Sequence, residues 1–385
     1  MRVEVILRQL LRSCVFQTHA ARFACVMAVV GALIRARRVS IAAIGRAVAS
    51  RSRPKHGIKR VDRLLGNGHL RSERLRFFAA IAGRVLHKVE QPIIILDWTQ
   101  VVGDHHRLVA AVPGEGRALI VYEEVHPVKK LGNMRVQERF LRRLKAVIPD
   151  GAVPILVTDA GFQGPFFRAV IELGWDFVGR IRGTTTARDR AGTKFSKSDL
   201  YRRATTTPRD LGWFRLFAWR ESVDARLVLV RARRKPGRRK KARSQDEAIQ
   251  RRKGRDPWLL ATSLGIAHAV TIVSIYARRM QIEETFRDAK NHRFGWSLRH
   301  TSIRSADRME VLLLLIALAM LVVVQIGMAA ELAGLHRGYQ ANTSVRRVLS
   351  LFVLGVAVLA RGEPVPRIFY QRASDALRVA AHVTR

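Results

Sequence analysis

The segment from Tyr276 to Lys290 carries four side chains whose types and spacing suit phosphate chemistry. A helix advances about 100° per residue, so Arg279, Glu283 and Lys290 would fall at roughly 300°, 340° and 320° from Tyr276 on one helix. We therefore predict that all four share one face. A carboxylate beside two cations and a phenol suits a divalent metal and a phosphate, because hard cations prefer oxygen ligands and Arg and Lys pair with phosphate oxygens. The alternative interpretation of this segment is a solvent-exposed helix whose charged side chains form ion pairs with one another.

Two aspartates, Asp97 and Asp159, each close an apolar run, in PIIILDWT and VPILVTDAGF. Such runs predict buried strands that end at the acid. With Glu283 on a later helix, three carboxylates could converge at one end of a sheet. That arrangement suits two divalent metals acting on an in-line displacement at phosphorus. For each aspartate alone, a cap or turn former is the alternative.

The charge of the chain points to a polyanionic partner. Its 385 residues include 70 Lys and Arg against 30 Asp and Glu, a formal charge of +40, while 48% are hydrophobic. This apolar content excludes a disordered basic tail. Nucleic acid is favoured because phosphate contacts release counterions, with membrane surfaces and ribosomal RNA as rivals.

The two cysteines, Cys14 and Cys25, exclude a disulfide framework and a cysteine zinc site. They predict buried thiols in a reducing cytoplasm.

The densest positive charge lies between Arg231 and Arg255, where 13 basic residues stand against two acidic ones. Such a run predicts a solvated loop or a segment that binds nucleic acid electrostatically, and the two interpretations are compatible. The candidate DNA-binding residues at its centre are Arg238, Arg239, Lys240 and Lys241.

One segment, from Val311 to Ala330, is long and apolar enough to span a bilayer and is interrupted only by Gln325. It stands alone near the C-terminus of a strongly basic chain. We interpret it as a core helix buried on all sides and predict no membrane partner. A membrane-attached basic protein is the alternative.

The apolar pattern changes along the chain. Residues 1–88 predict helices, with the outline of a helix-turn-helix or a plain helical hairpin from Ser40 to Asn67. Residues 89–183 predict three antiparallel strands and then strands alternating with helices, which is typical of an α/β domain with a mixed sheet. Short strands around the basic run follow over 184–262, and helices over most of 263–385.

These residues resemble the IS4 family of bacterial DDE transposases. The resemblance rests on LDWT around Asp97, on TDAGF around Asp159, and on the spacing Tyr-x2-Arg-x3-Glu-x6-Lys that begins at Tyr276. It extends from KHGIKRVDRLLGN through GRIRG and PWLLATSL to the apolar C-terminal helices, and so covers most of the chain.

The resemblance implies an α/β, RNase H-like fold with a mixed sheet flanked by helices. An N-terminal helical DNA-binding domain would occupy residues 1–88. The catalytic core would occupy 89–183 and resume over 263–385 with the Glu283 helix and the C-terminal helices, and a β-rich insertion with the basic loop would fill 184–262.

The resemblance also implies the roles of the site residues. Asp97, Asp159 and Glu283 would be catalytic and would bind two Mg²⁺ ions, for which Mn²⁺ can substitute. The side chains that would hold the DNA strand near the cleaved end are Tyr276, Arg279 and Lys290.

The implied activity is cut-and-paste transposition in the bacterial cytoplasm, at the nucleoid. A homodimer would bind the terminal inverted repeats of the element and the target DNA, cut as an endonuclease and transfer strands. A catalytically inactive or domesticated DNA-binding repressor is the alternative. A nuclease that cuts without joining is a further one.

Some polar and aromatic residues have two interpretations each. Trp213, Trp219 and Trp258 either stack a flipped base or pack in a core. Arg180 and Arg182 either face phosphate or form structural pairs.

Overall fold

The structure is a computed structural model that describes residues 3–182, 185–217, 222–231, 256–291, 296–298 and 301–379. The chain divides into two compact units. The first combines Met1–Ala152 with Met280–Thr384, and the second is Val153–Arg279. The second unit is therefore one stretch of sequence inserted between two parts of the first. The four segments predicted from the sequence divide the chain differently, and their boundaries stay predictions.

Helices make up the first part of the chain, as its apolar periodicity predicts. The first unit begins with five of them among the described residues, and a 3-10 turn at Arg12–Cys14 follows the first. The helices are α1 (Val3–Leu10), α2 (Ala20–Ala36), α3 (Ile41–Arg46), α4 (Pro54–Leu65) and α5 (Gly68–Val85).

The helices α3 and α4 pack with their backbones in contact. The Ser40 hydroxyl caps α3 by accepting a hydrogen bond from the backbone N–H of Ala43 at 3.1 Å. A Cβ atom added to Gly57 would lie 2.2 Å from the carbonyl oxygen of Gly45, so only glycine fits at this crossing. A helix-turn-helix and a plain hairpin both fit this pair.

The first unit continues as an antiparallel sheet with the strand order β3-β2-β1. The Tyr122 ring of this sheet packs 5.4 Å from the Phe78 ring of α5 and 4.9 Å from the Phe140 ring of the helix that follows. The elements are β1 (Ile93–Val102), β2 (His105–Pro113), β3 (Ala118–Pro127) and α6 (Met134–Lys145), with a 3-10 turn at Val128–Lys130.

The second unit carries a mixed sheet with the strand order β4-β5-β10-β9-β8-β6-β7. Strands β4 and β5 are parallel and joined by the crossover helix α7, and the remaining pairs are antiparallel. The elements are β4 (Ile155–Thr158), α7 (Gly164–Glu172), β5 (Asp176–Arg180), β6 (Ala187–Arg188), β7 (Lys194–Phe195), α8 (Lys197–Arg202), β8 (Arg209–Leu216), β9 (Val223–Val230), β10 (Trp258–Thr262) and α9 (Ala269–Ala277).

Helices of the first unit end the chain, and one of them forms its core. The long helix α11 packs against α2, α5, β3 and the last two helices, and all of its most apolar window is buried. This burial supports the core-helix interpretation over the membrane one. The elements are α10 (Met280–Lys290), α11 (Ala306–Leu332), α12 (Leu351–Arg361) and α13 (Arg367–Val379), with a 3-10 turn at Leu335–Tyr339.

The predicted α/β class is confirmed, with a mixed sheet flanked by helices, but one predicted helix is wrong. The segment from Tyr276 to Lys290 is two helices, because α9 ends at Ala277 and α10 begins at Met280. The N–H of Arg279 bonds to the carbonyl three residues back at 3.0 Å, which tightens the last turn of α9 and ends it. The argument from one helical wheel therefore applies within α10, to Glu283 and Lys290, and no longer includes Tyr276 and Arg279.

Candidate active site

Asp97 lies on β1 where the strand passes from a buried to a half-exposed environment. Residues 93–96 are buried, whereas Asp97, Trp98 and Thr99 are half-exposed. The prediction that the strand ends at this acid is wrong, because pairing with β2 continues β1 to Val102. Asp97 and Thr99 are two residues apart, so they point to the same face of the sheet.

The helix α10 lies against these strands and is bonded to them along one flank. Thr285 Oγ1 accepts a hydrogen bond from the backbone N–H of Ala118 at 2.9 Å. Gln281 Oε1 accepts one from the β2–β3 turn at 2.8 Å, and Asp288 pairs with Arg117 at 2.7 Å. The three helix residues are spaced four and three apart, so they form a single stripe.

The opposite flank of α10 faces β1. Lys290 Nζ donates a hydrogen bond to Thr99 Oγ1 at 2.7 Å, which joins the LDWT motif to the last residue of the four-residue spacing. Glu283 lies seven residues earlier, only about 20° away around the helix. Because Gln281 reaches the β2–β3 turn and Lys290 reaches Thr99, α10 runs in the direction of β1. Glu283 is therefore on the Asp97 side of Thr99.

The neighbouring Glu284 is engaged elsewhere. Its Oε2 accepts a hydrogen bond from Arg287 at 2.6 Å and lies 3.7 Å from Arg117 Nη1. It stands about 100° from Glu283 around the helix. Glu283 is thus the carboxylate of this pair that shares the β1 flank.

An ion pair is buried beneath α10, on the same strand face as Asp97. Arg107 Nη1 donates to Glu123 Oε2 at 2.7 Å, and the two side chains are 0% and 1% exposed. Arg107 lies opposite Thr99 in the β1–β2 register, and its guanidinium stacks 4.8 Å from the ring centroid of Phe286. Burial of two charges costs free energy that their pairing only partly offsets. We interpret the pair as fixing the helix position more than adding stability.

In the second unit, Asp159 directly follows β4, as predicted. Its Oδ1 accepts a hydrogen bond from the N–H of Gly161 at 2.9 Å, which is the turn that the alternative interpretation expects. Thr158 pairs with Gly179 in the parallel β5, so Asp159 and Arg180 leave adjacent strand ends. The carboxyl ends of neighbouring parallel strands are a common place for ligand sites.

Tyr276, in the last turn of α9, is only 3% exposed. Its ring packs edge-on against the half-exposed Trp258 with centroids 4.9 Å apart. Burial raises the pKa of Tyr276, the positive charges of Arg279 and Arg180 oppose the rise, and the charge of Asp159 adds to it. These side chains therefore share one electrostatic neighbourhood.

Arg180, which the sequence leaves open between facing phosphate and structural pairing, belongs to this neighbourhood. It is 9% exposed, and its Nη2 donates to the backbone oxygen of Asp256 at 3.1 Å. Burial lowers the pKa of Arg180, and the Tyr276 hydroxyl partly offsets this effect. Two guanidinium groups around a buried phenol suit the oxygens of a phosphate.

Comparison with protein-family models matches residues 89–322 to the transposase DDE domain. The match covers more than half of the chain. The chain belongs to the transposase DDE domain family. Membership indicates an enzyme of the transposase or nuclease type, and the mixed α/β architecture agrees with an RNase H-like transposase fold. A search of curated proteins finds no match.

Enzymes of the DDE family generally use divalent metals. Among the described residues of this transposase-family chain, no three carboxylate, imidazole or thiol groups are gathered as a metal site. Asp97 and Glu283 belong to the first unit and Asp159 to the second. All three are half-exposed carboxylates, and their oxygens are the ligands that Mg²⁺ prefers, so the donor chemistry fits. The convergence of the three stays a prediction.

Other predicted residues of the transposase-family chain are placed as follows. Trp213 is half-exposed on β8. Trp219 lies outside the described residues. So do the four predicted DNA-binding residues of the basic run, Arg238, Arg239, Lys240 and Lys241.

Proposed function

We propose that the chain is an IS4-type DDE transposase that cuts and joins DNA at the ends of its own element. The observation that carries this proposal is the family match, because residues 89–322 include Asp97, Asp159 and Glu283. The Lys290–Thr99 hydrogen bond supports it, since it joins two of the motifs that resemble this family within one unit.

In the proposed reaction, Asp97, Asp159 and Glu283 act as carboxylate ligands for two Mg²⁺ ions, and Mn²⁺ can replace them. Bound magnesium would activate the attacking oxygen and stabilise the leaving one. Among the side chains of the protein, Tyr276 and Arg279 hold the phosphates of the DNA strand near the cleaved end. Lys290 does the same from α10, where Thr99 orients its ammonium group.

The proposed partners are the terminal inverted repeats of the element and the target DNA, bound by a homodimer in the bacterial cytoplasm. The excess of positive charge supports a polyanionic partner. The burial of α11 supports the absence of a membrane partner.

A matched pair of variants on α10 tests the proposal. Glu283→Gln should lower cleavage of a supercoiled plasmid carrying the element ends by on the order of a thousandfold, because loss of a metal ligand costs several kcal/mol in the transition state. Glu284→Gln should leave cleavage unchanged, since this carboxylate is paired with Arg287 and Arg117. The assay runs with Mg²⁺ and follows nicked, linear and joined products.

The same assay separates the alternatives. Wild-type protein that binds the ends but never cuts them would be a repressor, and the proposal would be wrong. Cutting without joined products would identify a nuclease. Equal cleavage by the Glu283→Gln variant and the wild type would remove Glu283 from the site.

A further inference from the structure

A polar cleft of about 630 Å³ lies on the far side of the β1–β3 sheet from Asp97. Asp97 pairs with Val109 and Val109 with Glu123, so these three side chains share one face of the sheet. Glu124 points to the other face, where it lines the cleft. The helices α5 and α6 and the start of α11 complete the walls, and all of these elements belong to the first unit. The cleft is therefore separate from the face under α10.

Four guanidinium groups and three carboxylates line this cleft among the described residues. Each carboxylate pairs with a different arginine: Glu124 with Arg143 at 3.0 Å, Glu310 with Arg74 at 2.9 Å, and Asp307 with Arg71. The fourth cation is Arg139, whose Nη2 lies 3.9 Å from Glu124 Oε2, beyond hydrogen-bond distance. The lining of the cleft therefore carries one positive charge in excess.

The paired arginines also keep donors for a ligand. A guanidinium has five N–H donors, and Arg143 bonds to Glu124 through Nη1. The side chains of Arg71 and Arg143 stay 45% and 43% exposed. Because carboxylates already hold them in place, a ligand would order them at little cost in conformational entropy. Gly68 and Ala306, the first residues of α5 and α11, also line the cleft, and the positive ends of these helices favour an anion.

The spacing of the cations suits several linked phosphates better than a single one. Arg139 and Arg143 are one turn apart on α6, roughly 6 Å along its axis, and Arg71 lies on α5. Guanidinium groups pair well with phosphate oxygens. The two ring-bearing residues of the lining, Tyr122 and His126, are buried to 1% and 6% exposure. The lining therefore offers no open ring face on which a base could stack.

We propose that this cleft binds a free oligophosphate through Arg71, Arg139 and Arg143. The ligand is inorganic tripolyphosphate or the phosphate chain of a nucleoside triphosphate, with the base left in solvent. Its volume of about 630 Å³ lies in the range of small-molecule sites. Occupation would tie α5 to α6 on the back of the sheet that carries Asp97, which is a role apart from the proposed DNA chemistry.

The first test compares two single variants of the full chain by isothermal titration calorimetry with tripolyphosphate. The buffer contains no Mg²⁺, so the proposed metal site does not take up the ligand. Arg139→Gln should weaken binding roughly ten- to a hundredfold, because it removes a charge-assisted hydrogen bond. Arg142→Gln removes an exposed cation of the same helix that does not line the cleft, and should bind like the wild type.

Two results of this titration would overturn the proposal. Unchanged binding by Arg139→Gln would remove the cleft as the site. An equal loss in both variants would show that tripolyphosphate binds to the positive charge of the chain as a whole.

The second test identifies the ligand. Tripolyphosphate, ATP and GTP should bind the wild-type chain with affinities within a few-fold of one another, and adenosine should not bind. A preference of more than tenfold for one base would contradict binding through the phosphate chain. Displacement of tripolyphosphate by duplex DNA of unrelated sequence, at equal phosphate concentration, would overturn the choice of a free ligand.

The third test uses only the wild-type chain and so does not depend on the folding of a variant. Tripolyphosphate should slow amide hydrogen exchange in α6 and at the start of α11. The helix α4 carries several exposed cations but does not line the cleft, and it serves as the internal reference. Protection of α4 equal to that of α6, or protection of neither helix, would refute the site.

Discussion

The Glu124 carboxylate of β3 should make the stability of the first unit depend on pH. Its side chain is 1% exposed, it accepts hydrogen bonds from Tyr122 Oη at 2.6 Å and Arg143 Nη1 at 3.0 Å, and His126 Nε2 lies 3.1 Å away. Burial alone would raise the pKa of this carboxyl. The contacts with His126, Tyr122 and Arg143 outweigh burial and lower the pKa to about 2.

The magnitude follows from the distance between the two pKa values. A difference of one pKa unit between the folded and unfolded states corresponds to about 1.4 kcal/mol. The fall from 4.5 to about 2 therefore corresponds to about 3 kcal/mol of stability. Because the folded value is the lower one, this contribution is complete well above pH 4.5 and is lost as the pH falls toward 2.

Glu124→Gln should remove this contribution. Urea unfolding at a series of pH values is expected to show the variant about 3 kcal/mol less stable than the wild type at neutral pH. The difference should shrink as the pH falls from 4.5 toward 2. Glu90→Gln, at an exposed position, is the control and should show little difference at any pH. A difference that stays constant with pH would refute the reasoning, because the cost would then come from packing and not from ionisation.

Two further predictions concern packing and charge in the first unit. Gly327→Ala should lower stability by about 1–3 kcal/mol, since its Cβ would lie 1.9 Å from the Leu351 oxygen, whereas Gly83→Ala on an open helix surface should raise stability by about 0.5–1 kcal/mol. Thermal unfolding of the two variants checks both signs, and equal signs would contradict the close approach of α11 and α12. Arg107→Met should cost about 3–5 kcal/mol by leaving Glu123 buried and unpaired, and adding Glu123→Leu should recover most of it. A double variant as unstable as the single one in urea would show that packing, not charge, explains the loss.

The elements that the sequence predicts well are those with a local signal. Apolar runs mark β1 to β5, β9 and β10, because a buried strand needs such a run whatever it pairs with. The two-residue strands β6 and β7 have no such run and exist only through their pairing. The extension of β1 beyond Asp97 has the same cause, since β2 supplies the partners of its polar second half.

The candidate site shows the same limit. The spacing of Glu283 and Lys290 is local, so the sequence places both on one side of α10. Thr99 and Arg180 gain their roles only from pairing and packing. The parallel register that sets Thr158 beside Gly179 puts Arg180 next to Asp159. No pattern in the sequence specifies that register.

The direction in which Glu283 points is fixed by its neighbours and does not require a bond made by Glu283 itself. Gln281 and Thr285 tie one flank of α10 to the start of β3 and the turn before it, and Lys290 ties the opposite flank to β1. A helix bonded on both flanks cannot rotate about its axis without breaking one set of bonds. Glu283, on the same flank as Lys290, is then held on the Asp97 side of Thr99. Rigid placement of this kind suits the role we propose for Glu283 as a catalytic carboxylate, because a misplaced ligand loses most of its effect on the transition state.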